Sequence, residues 1–559
     1  MVKRAVRSQW GSRLGFIMAA MGSAIGLGNI WRYPYMVYKN GGAVFLIPYF
    51  IALFVVGIPV MMLEFGLGHK MRRAFPGALY RISPRFSWIG WWSVSFVMFG
   101  IVVYYAVVIA WCLCYFFLAF TGGWGSDPAA FFAQDFIHRT AGPYVESQGF
   151  VFGPFAWYVF AALGVVWAAN WLICFFEIRK GLERATKVFM PLLAVLTLVL
   201  VIWSWGFEGA SQGRRFYLEP RWDLLLEPQV WIDAFTQIFF TLSLGFGIMV
   251  AYASYLGPKP NIPASAFLTC VGNCAFSFIA GFAVFNTLGF MALKEGAEVG
   301  QVIKAGPDLC FIVYPQALSL MPEFTGRATG LIFFLVLVVA GLTSSVSIVE
   351  AFTSSLMDHF PIRRGTAVSV LTTGAFLLGV PFCFGSGVFW LDIVDSFLNR
   401  YGLLLVVILE TLIVGWYFTP RRLRAHLDDT HDMKMVGGIG VAMKLMITVF
   451  LAFTWYGLST ETSGAAGQVG RFAALMGIFV VWLDEHWLDF DIKYVIPVIL
   501  VLLLDLQLAS DISKKQVYSW QAVVGIGVAW TVGTLVVAIA LDGAAKWRLR
   551  RGLESGLGE

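Results

Sequence analysis

"SAIGLGNIWRYPY", residues 23–35, decides the fold, because it sets helix-breaking and charged residues inside an apolar segment. Two glycines two positions apart are followed by Asn29, Arg32 and Pro34, where a lipid-facing helix would carry leucines. A charge at the centre of a bilayer costs at least about 2.5–3.5 kcal/mol on insertion scales, so Arg32 should face a cavity or a partner. The stretch therefore predicts a helix that is interrupted where it lines a site.

Composition places the rest of the chain in a membrane. Of 559 residues, 59% are hydrophobic and 13% are charged, and the mean hydropathy is +0.77. Soluble domains carry about 25% charged residues, so the chain lies outside the soluble range. We therefore predict an all-α integral membrane protein in contact with the lipid bilayer. The net charge of +6 is carried by basic loops and gives no reason to expect nucleic-acid binding.

Apolar runs long enough to cross a hydrocarbon core of roughly 30 Å recur along the chain. They lie at 13–36, 43–68, 88–120, 155–176, 186–206, 230–256, 265–292, 327–356, 366–382 and 392–418, with further apolar stretches at 436–458, 470–484, 492–509 and 519–542. Cytoplasmic loops are enriched in Lys and Arg. A cytoplasmic N-terminus puts every basic loop on the inner side, and 12 or 14 crossings both fit.

The predicted organisation has six parts. They are a cytoplasmic N-terminal segment (1–12), a first repeat (13–206), a second repeat (230–418), an apparent insertion with one or two apolar segments (430–485), C-terminal spans (492–542) and a cytoplasmic tail (543–559). The chain contains no N-x-S/T sequon, which favours a bacterial inner membrane over a glycosylated animal surface. Cys310 and Cys383 lie on predicted outer segments, and whether they pair is open at this stage.

Span 6 carries a second interruption. "QIFFTLSLGFGIMVAY", residues 237–252, places Ser243, Gly245 and Gly247 at mid-depth. Because spans 1 and 6 are five spans apart, spans 1–5 and 6–10 enter the membrane from opposite sides. Glycine-interrupted spans at corresponding positions of two inverted halves indicate a transporter's binding site. The alternative, that the glycines only allow close helix packing, suits one such span better than two.

Four segments closely resemble the neurotransmitter:sodium symporter family. They are "RLGFIMAAMGSAIGLGNIWRYPY" (13–35), "NGGAVFLIPY" (40–49), "QIFFTLSLGFG" (237–247) and "AGLTSSVSIVE" (340–350). The resemblance runs from Arg7 to about Phe418, "IKYVIP" (492–497) resembles the family's eleventh span, and 430–485 departs from the pattern. It implies a LeuT-type 5+5 inverted-repeat transporter fold of 12 core helices, 12 or 14 in total, with spans 1 and 6 unwound. It also implies a sodium-coupled secondary active symporter working by alternating access, and not an enzyme.

The resemblance implies two sodium ions, held by the oxygen ligands that hard cations prefer. The first site matches Ala24, Asn29, Thr241 and Asn273. The second matches Gly22, Ile25, Ala340, Thr343 and Ser344. A buried Ser or Thr can instead bond to its own helix backbone, which suits one hydroxyl better than three in a row.

The resemblance also implies the substrate site. It matches Ala24, Leu27, Gly28, Ile101, Tyr105, Val108, Phe240, Thr241, Ser243, Phe246, Ser344 and Ile348. Monoamine-carrying members have an Asp where this chain has Gly26, so a ligand with its own carboxylate fits better. The apolar pocket suits neutral, hydrophobic L-amino acids, and a single methylene changes binding by only ~1–3 kcal/mol, so no one amino acid is singled out.

Other functions remain open within this pattern. A betaine or a GABA-like zwitterion is the alternative inside the family. A transport-dead amino-acid sensor or a channel on the same fold is the alternative outside it. Protein partners are not predicted.

The resemblance further implies a chloride site and two gates. The chloride set is Tyr49, Gln237, Thr241 and Ser277, all neutral, and chloride-independent bacterial relatives carry a Glu at the position of Ser277. The alternative is that Ser277 only packs. The gates are the pairs Arg32–Asp395 on the outer side and Arg7–Asp358 on the inner side.

Two further polar features, a buried acid and a charged loop, are given no binding or catalytic role. Glu64 is a buried acid in span 2 without an assigned role. "HLDDTHD", residues 426–432, has metal-ligand residue types but on a cytoplasmic loop indicates a solvated charge run. The chain carries no Walker, nucleophile-elbow or HExxH motif that would favour a pump or a hydrolase.

Overall fold

The computed structural model describes residues 9–225, 227–258, 260–303, 306–428, 487–513 and 518–551, with isolated positions between 444 and 455. Arg7 and, apart from those positions, the predicted insertion at 430–485 lie outside the described residues. The choice between 12 and 14 spans and the predicted domain boundaries therefore stay predictions.

The described residues are largely helical. The helices are α1 Arg13–Ala24, α2 Gly28–Lys39, α3 Ala43–Met71, α4 Phe75–Ile82, α5 Ser87–Leu118, α6 Phe131–Phe136, α7 Trp157–Phe175, α8 Leu182–Trp205, α9 Ala210–Leu218, α10 Pro228–Thr241, α11 Ile248–Ala253, α12 Ile262–Glu295, α13 Val299–Val302, α14 Leu309–Ser319, α15 Glu323–His359, α16 Arg364–Cys383, α17 Gly387–Phe397, α18 Leu403–Phe418, α19 Pro420–Asp428, α20 Ile496–Ser513 and α21 Trp520–Arg550. Strands β1 Tyr144–Val145 and β2 Gly149–Phe150 form a short antiparallel hairpin between α6 and α7. The prediction of an all-α membrane protein is confirmed.

The helices account for the predicted core spans. By length and composition, eight helices among the described residues can cross a membrane, or up to ten when each of two bent pairs is counted as one span. The interrupted pair α10 and α11 and the helix α20 lie where spans 6 and 11 were predicted. These bring the described residues to the twelve core spans of the prediction.

Span 1 is broken where its sequence predicted. α1 ends at Ala24, and Ile25 is extended at φ −79° and ψ 100°. The freed amide of Gly26 donates to Oδ1 of Asn29 at 2.9 Å, and the two halves of the span meet at a bend of 55°. The side chain of Asn29 therefore replaces a helical hydrogen bond that the break removes.

Span 6 is broken by three residues with left-handed backbone. Ser243, Gly245 and Gly247 have φ values of 53°, 76° and 69°. A Cβ on Gly245 would overlap Val407 of α18, and a Cβ on Gly247 would lie 2.9 Å from Val94 of α5. Both the dihedral angle and the close approach require glycine at these two positions.

The interrupted spans are surrounded by buried helices. The apolar windows of α3, α5 and α15 are 78%, 83% and 78% buried, whereas those of α8 and α21 are 28% buried. The first three therefore form the centre that holds the broken spans, and α8 and α21 present most of their surface outward. The described cysteines are all free, so Cys310 and Cys383 do not pair, and both are buried.

Candidate functional site

A cavity of about 320 Å³ opens between the two interruptions. All twelve residues of the predicted substrate site line it: Ala24, Leu27, Gly28, Ile101, Tyr105, Val108, Phe240, Thr241, Ser243, Phe246, Ser344 and Ile348. They come from α1, α2 and the break between them, from α5, from α10 with the loop before α11, and from α15. Residues that lie up to 324 positions apart in the sequence, from Ala24 to Ile348, thus share one surface.

One end of the cavity presents backbone amides of the broken span 1. The amide of Leu27 donates to Oη of Tyr105 at 3.1 Å. A Cβ on Gly28 would lie 2.7 Å from the ring of Phe240, and a Cβ on Gly26 would lie 2.9 Å from both Ser344 Oγ and Tyr105 Oη. The glycines therefore let the backbone approach the facing side chains, and the space at Gly26 is too small for an acidic side chain.

Asn29 lies at the junction of three helices and is fully buried. Its amide nitrogen lies 3.0 Å from Oγ1 of Thr241, 2.9 Å from Oδ1 of Asn273 and 2.7 Å from Oγ of Ser277. Three residues of the predicted first sodium set thus meet in one cluster, and the fourth, Ala24, lines the adjoining cavity. The cluster supplies side-chain oxygens and no ionised group.

The residues of the predicted second sodium set lie where α1 ends against α15. Oγ of Ser344 donates to the carbonyl of Ser23 at 3.1 Å and reaches that of Gly22 at 3.5 Å. A Cβ on Gly22 would lie 3.4 Å from Cβ of Thr343. The hydroxyl of Thr343 donates to the carbonyl of Ala340 at 2.9 Å, while Ile25 directly follows the last residue of α1.

The predicted chloride set contains unsatisfied polar atoms. Tyr49 and Gln237 are fully buried, and neither the Tyr49 hydroxyl nor either end of the Gln237 amide makes a hydrogen bond to any described residue. Tyr49 lies beside Ser277, and Gln237 stands one helical turn before Thr241 on α10. Because buried polar groups are nearly always paired, these atoms are available to bind a ligand or a water.

The end of the cavity that was predicted to face outward carries its charged residues. Arg32 and Asp395 both line it, and the guanidinium of Arg32 lies 4.5 Å from the ring centre of Phe240. Asp395 accepts hydrogen bonds from Oη of Tyr104 at 2.5 Å and from Nδ2 of Asn399 at 2.6 Å. Sequence analysis missed the last two residues, although Asn399 follows Asp395 by four positions and so shares its helix face.

At the end of the bundle that was predicted to face the cytoplasm, the beginning of the described chain packs against α11. Nε1 of Trp10 donates to the carbonyl of Tyr252 at 2.8 Å, and the amide of Trp10 donates to the carbonyl of Tyr255 at 3.2 Å. Asp358 accepts from the amide of Ala74 at 2.7 Å and pairs with Arg73 at 3.3 Å. Arg73 was not predicted, and the predicted partner Arg7 lies outside the described residues.

A second buried ion pair was also not predicted from the sequence. Arg364 pairs with the fully buried Glu350 of α15, and its Nε donates to the carbonyls of Cys174 and Phe176 at 2.9 and 2.8 Å. This arginine joins α15, α16 and the end of α7. The part of the chain that the structure describes holds no group of three or more His, Cys, Asp or Glu that could bind a metal ion.

Comparisons with known proteins agree with this geometry. A model of the sodium:neurotransmitter symporter family matches residues 7–142 and 128–463. An uncharacterised sodium-dependent transporter of Methanocaldococcus jannaschii is 42% identical over 451 residues, which cover 80% of this chain and 90% of that protein. The rat sodium- and chloride-dependent GABA transporter 2 is 34% identical over 458 residues, covering 76% and 75%. The crystal structure of MhsT in complex with L-phenylalanine matches with a TM-score of 0.67 and 29% identity, covering 90% of this chain and 99% of that one.

Proposed function

The chain belongs to the sodium:neurotransmitter symporter family, and from this premise we propose that it carries neutral, hydrophobic L-amino acids into the cell together with sodium. The observation that carries the proposal is the cavity at the break of span 1, where the amide of Leu27, hydrogen-bonded to Tyr105, adjoins an apolar pocket. Sodium dependence and symport follow from the family. What we propose beyond the family is the class of substrate and the positions at which the ions bind.

The substrate's two charged ends fit the broken spans without any ionised side chain. Its carboxylate would accept from the amides of Leu27 and Gly28 and from Tyr105, because a half-helix N-terminus favours an anion. Its ammonium would face carbonyls near Ala24 and Phe240. The charged residues that line the cavity, Arg32, Asp392 and Asp395, belong to its outer part, as the lining of α2 and α17 indicates.

The substrate side chain would occupy the apolar end of the cavity. Ile101, Val108, Phe246 and Ile348 are all at least 95% buried and line it together with the hydroxyl of Ser344. An aliphatic or aromatic side chain there removes apolar surface from water, which contributes about 25 cal/mol per Å². The complex of MhsT with L-phenylalanine supports an amino acid of this kind.

Sodium would bind on both sides of the break in span 1. The first ion would take oxygens of Asn29, Thr241 and Asn273 together with the substrate carboxylate, which couples ion and substrate directly. The second would take the carbonyls of Gly22, Ile25 and Ala340 and the hydroxyls of Thr343 and Ser344. Two cations bound close together in a low-dielectric interior call for a nearby anion.

We propose chloride as that anion. Tyr49, Gln237, Thr241 and Ser277 offer neutral donors, and the unsatisfied polar groups of Tyr49 and Gln237 support a ligand near them. The GABA transporters at 34% identity are described as sodium- and chloride-dependent. Among the residues that the structure describes, no acidic side chain is hydrogen-bonded to Asn29 to supply that negative charge.

Transport would proceed by alternating access around this fixed site. The outer barrier is Arg32 with Asp395 above Phe240 and Tyr105, and the inner barrier is Asp358 with Trp10 over α11. The distribution of Lys and Arg among the loops supports a cytoplasmic N-terminus, and we propose the cell inner membrane as the location.

The test is uptake of labelled leucine and phenylalanine into proteoliposomes. An inward sodium gradient is compared with potassium, and chloride is compared with gluconate. Concentrative uptake that needs both ions supports the proposal, and uptake that needs sodium alone removes the chloride site. Binding without accumulation would favour an amino-acid sensor.

A GABA-like or betaine-like zwitterion is the second candidate, because the GABA transporters cover 76% of this chain. Competition separates the two. If GABA or betaine blocks uptake of labelled leucine at lower concentration than leucine itself, the second candidate replaces the first.

A further inference from the structure

Span 4 carries a buried amide that lies outside the proposed substrate and ion sites. Asn170 is fully buried, although only 39% of the apolar window of its helix, α7, is buried. The other buried residues of α7 are Val, Ala, Leu, Trp and Cys. A polar side chain inside a membrane is costly and usually marks a functional site, so the partner of Asn170 is informative.

That partner lies on α15, directly after the proposed sodium ligands. Oγ of Ser345 donates to Oδ1 of Asn170 at 2.9 Å, and Ser345 is fully buried as well. Nδ2 of Asn170 donates to the carbonyl of Val166 on its own helix at 2.9 Å, which fixes the orientation of the amide. One helical turn further along α7, Sγ of Cys174 lies 3.6 Å from the carbonyl of Val346. Polar groups of α7 thus meet two successive residues of α15.

Helix geometry places this contact on a different side of α15 from the sodium ligands. Successive residues of an α-helix are about 100° apart around its axis, so Ser345 points about 100° away from Ser344 and about 200° away from Thr343. Ser344 faces α1, where its Oγ donates to the carbonyl of Ser23 at 3.1 Å. The bond from Ser345 to Asn170 therefore holds the rotation of α15 from another side.

The hydroxyl of Ser345 has a local alternative to Asn170. It lies 3.1 Å from the carbonyl of Leu342, three positions earlier on α15, and its one proton is shared between two acceptors. Serine hydroxyls often bond to a carbonyl of their own helix. Ser345 therefore stays satisfied without Asn170, and an apolar residue at position 170 should leave the fold intact.

We propose that Asn170 is a positioning residue of the second sodium site. It sets the rotation of α15 and, through it, the direction in which Thr343 and Ser344 present their hydroxyls to the end of α1. Asn170 does not contact the ion itself. The inference rests on the proposed function and extends that sodium site to span 4, which supplies none of its proposed ligands.

The test is the rise in unfolding temperature in sodium over potassium, measured on the full-length purified protein without amino acid and as a function of sodium concentration. Asn170→Leu removes the amide and keeps a similar side-chain size, and Ser345→Ala removes the hydroxyl. We expect each variant to raise the half-maximal sodium concentration by at least about threefold, the mean effect of one hydrogen bond between membrane helices. The double variant should be no weaker than the weaker single variant, because both changes remove the same bond.

Ser204→Ala is the matched control. Ser204 on α8 accepts from Nδ2 of Asn286 on α12 at 3.0 Å, and it donates to the carbonyl of Val201, three positions earlier, at 3.1 Å. Asn286 is 13 positions beyond Asn273 on α12, which corresponds to about 20 Å. The control thus loses an Asn–Ser bond of the same kind far from the sodium ligands, and it should keep the sodium dependence of the wild type.

Two results would overturn the inference. If Asn170→Leu and Ser345→Ala keep the half-maximal sodium concentration of Ser204→Ala, the bond has a structural role alone, whatever the unfolding temperature in potassium. If the effects of the two changes add in the double variant, they do not act through one bond. Should Asn170→Leu fail to fold, Ser345→Ala decides the question by itself.

Failure of the proposed function gives a different result. A wild type whose unfolding temperature does not rise in sodium would contradict the proposed sodium sites, and the inference would fall with them. A wild type that responds to sodium together with unaffected variants would overturn the role of Asn170 alone. Neither reading depends on which solute is carried.

Discussion

Asn29 shows how one residue serves both the fold and the site. Its Oδ1 accepts the amide that the break in span 1 frees, and its amide nitrogen contacts Thr241, Asn273 and Ser277 on two other spans. An amide side chain can do both because it carries an acceptor and donors at the same end. Ligand occupancy at this cluster is therefore expected to affect the break itself.

Ser277→Glu is expected to remove the need for chloride. A carboxylate there would accept from Asn29, which lies 2.7 Å from the Ser277 hydroxyl, and would supply the negative charge that we assign to chloride. Wild-type uptake should fall at least about tenfold when gluconate replaces chloride, because two cations would lose their nearby anion in low dielectric. Uptake by the variant should be equal in both salts.

Ser277→Ala is the matched control for this prediction. It removes the hydroxyl without adding charge, so it should not free uptake from chloride. Equal wild-type uptake in chloride and gluconate would show that the chloride assignment is wrong.

Gly26→Ala is expected to weaken leucine binding. Its new Cβ would lie 2.9 Å from both Ser344 Oγ and Tyr105 Oη, closer than real Cβ contacts. Overpacking of this kind costs about 1–3 kcal/mol, which corresponds to a loss of affinity of roughly 5- to 150-fold. Equilibrium binding of labelled leucine at saturating sodium measures the affinity of the variant and of the wild type.

Gly374→Ala provides the comparison, because a Cβ at Gly374, on α16, meets nothing within 4 Å. We expect the Gly374→Ala variant to bind leucine with the affinity of the wild type. Unchanged binding in Gly26→Ala as well would place the substrate away from this glycine.

At the level of elements, the two broken spans have different causes. Span 1 ends its first half at an extended Ile25 and restarts at Gly28, with Asn29 capping the gap. Span 6 turns through left-handed residues whose glycines press against α5 and α18. The first break is stabilised by a side chain and the second by packing, so substitutions should affect them differently.

Gly245→Ala is expected to destabilise the protein by two additive effects. Its φ of 76° is unfavourable for an L-residue, at about 1 kcal/mol or more, and its Cβ would overlap Val407. Adding Val407→Ala should recover the part due to overlap and leave the part due to φ. Thermal unfolding of the two single variants and the double variant gives the interaction free energy between positions 245 and 407.

Gly296→Ala isolates the backbone effect, since Gly296 has φ 65° and open space around it. We expect it to cost less than Gly245→Ala. If Val407→Ala fails to recover any stability in the double variant, overlap with α18 is not the cause of the destabilisation by Gly245→Ala.

At the scale of the whole molecule, the site is a junction of helices that are distant in sequence. The hydrogen bonds of Asn29 span up to 248 positions, and the inner contact of Trp10 with Tyr252 spans 242. A ligand bound at such a junction stabilises the folded chain as a whole, because it binds the native state alone.

Thr343→Val is expected to remove much of the stabilisation by sodium. Sodium at a hundred times its dissociation constant should stabilise the wild type by about 2.7 kcal/mol, seen as a rise in unfolding temperature over potassium. The variant keeps the side-chain shape but loses an oxygen of the proposed second sodium site. Its stability in potassium should stay close to that of the wild type.

Thr353→Val tests whether loss of any buried hydroxyl on α15 has this effect. Thr353 is equally buried and donates to the carbonyl of Val349 at 2.7 Å, two helical turns or more from the site. We expect the Thr353→Val variant to show the same rise in unfolding temperature in sodium over potassium as the wild type. If the Thr343→Val variant shows the full rise in unfolding temperature in sodium, Thr343 is not a sodium ligand.

Sequence by itself determined the spans, the two breaks and the family, because each depends on a local pattern. About 20 consecutive apolar residues specify a crossing, and glycines with a charge inside such a run specify an interruption. The twelve substrate-site residues could be named in advance because short motifs around the breaks match the family residue by residue. The structure places all twelve on one cavity, while their binding role remains a prediction.

Tertiary structure alone decided which polar groups meet. The pairs Tyr104–Asp395 and Arg364–Glu350 each join two helices, and Arg73, in the loop between α3 and α4, pairs with Asp358 of α15. Asn399 and Asp395 are four positions apart on one stretch of chain. Hydropathy assigns each helix to the membrane but does not fix its rotation or depth. Those are set by packing, such as Val407 against Gly245, and packing therefore decides which buried charge has a partner.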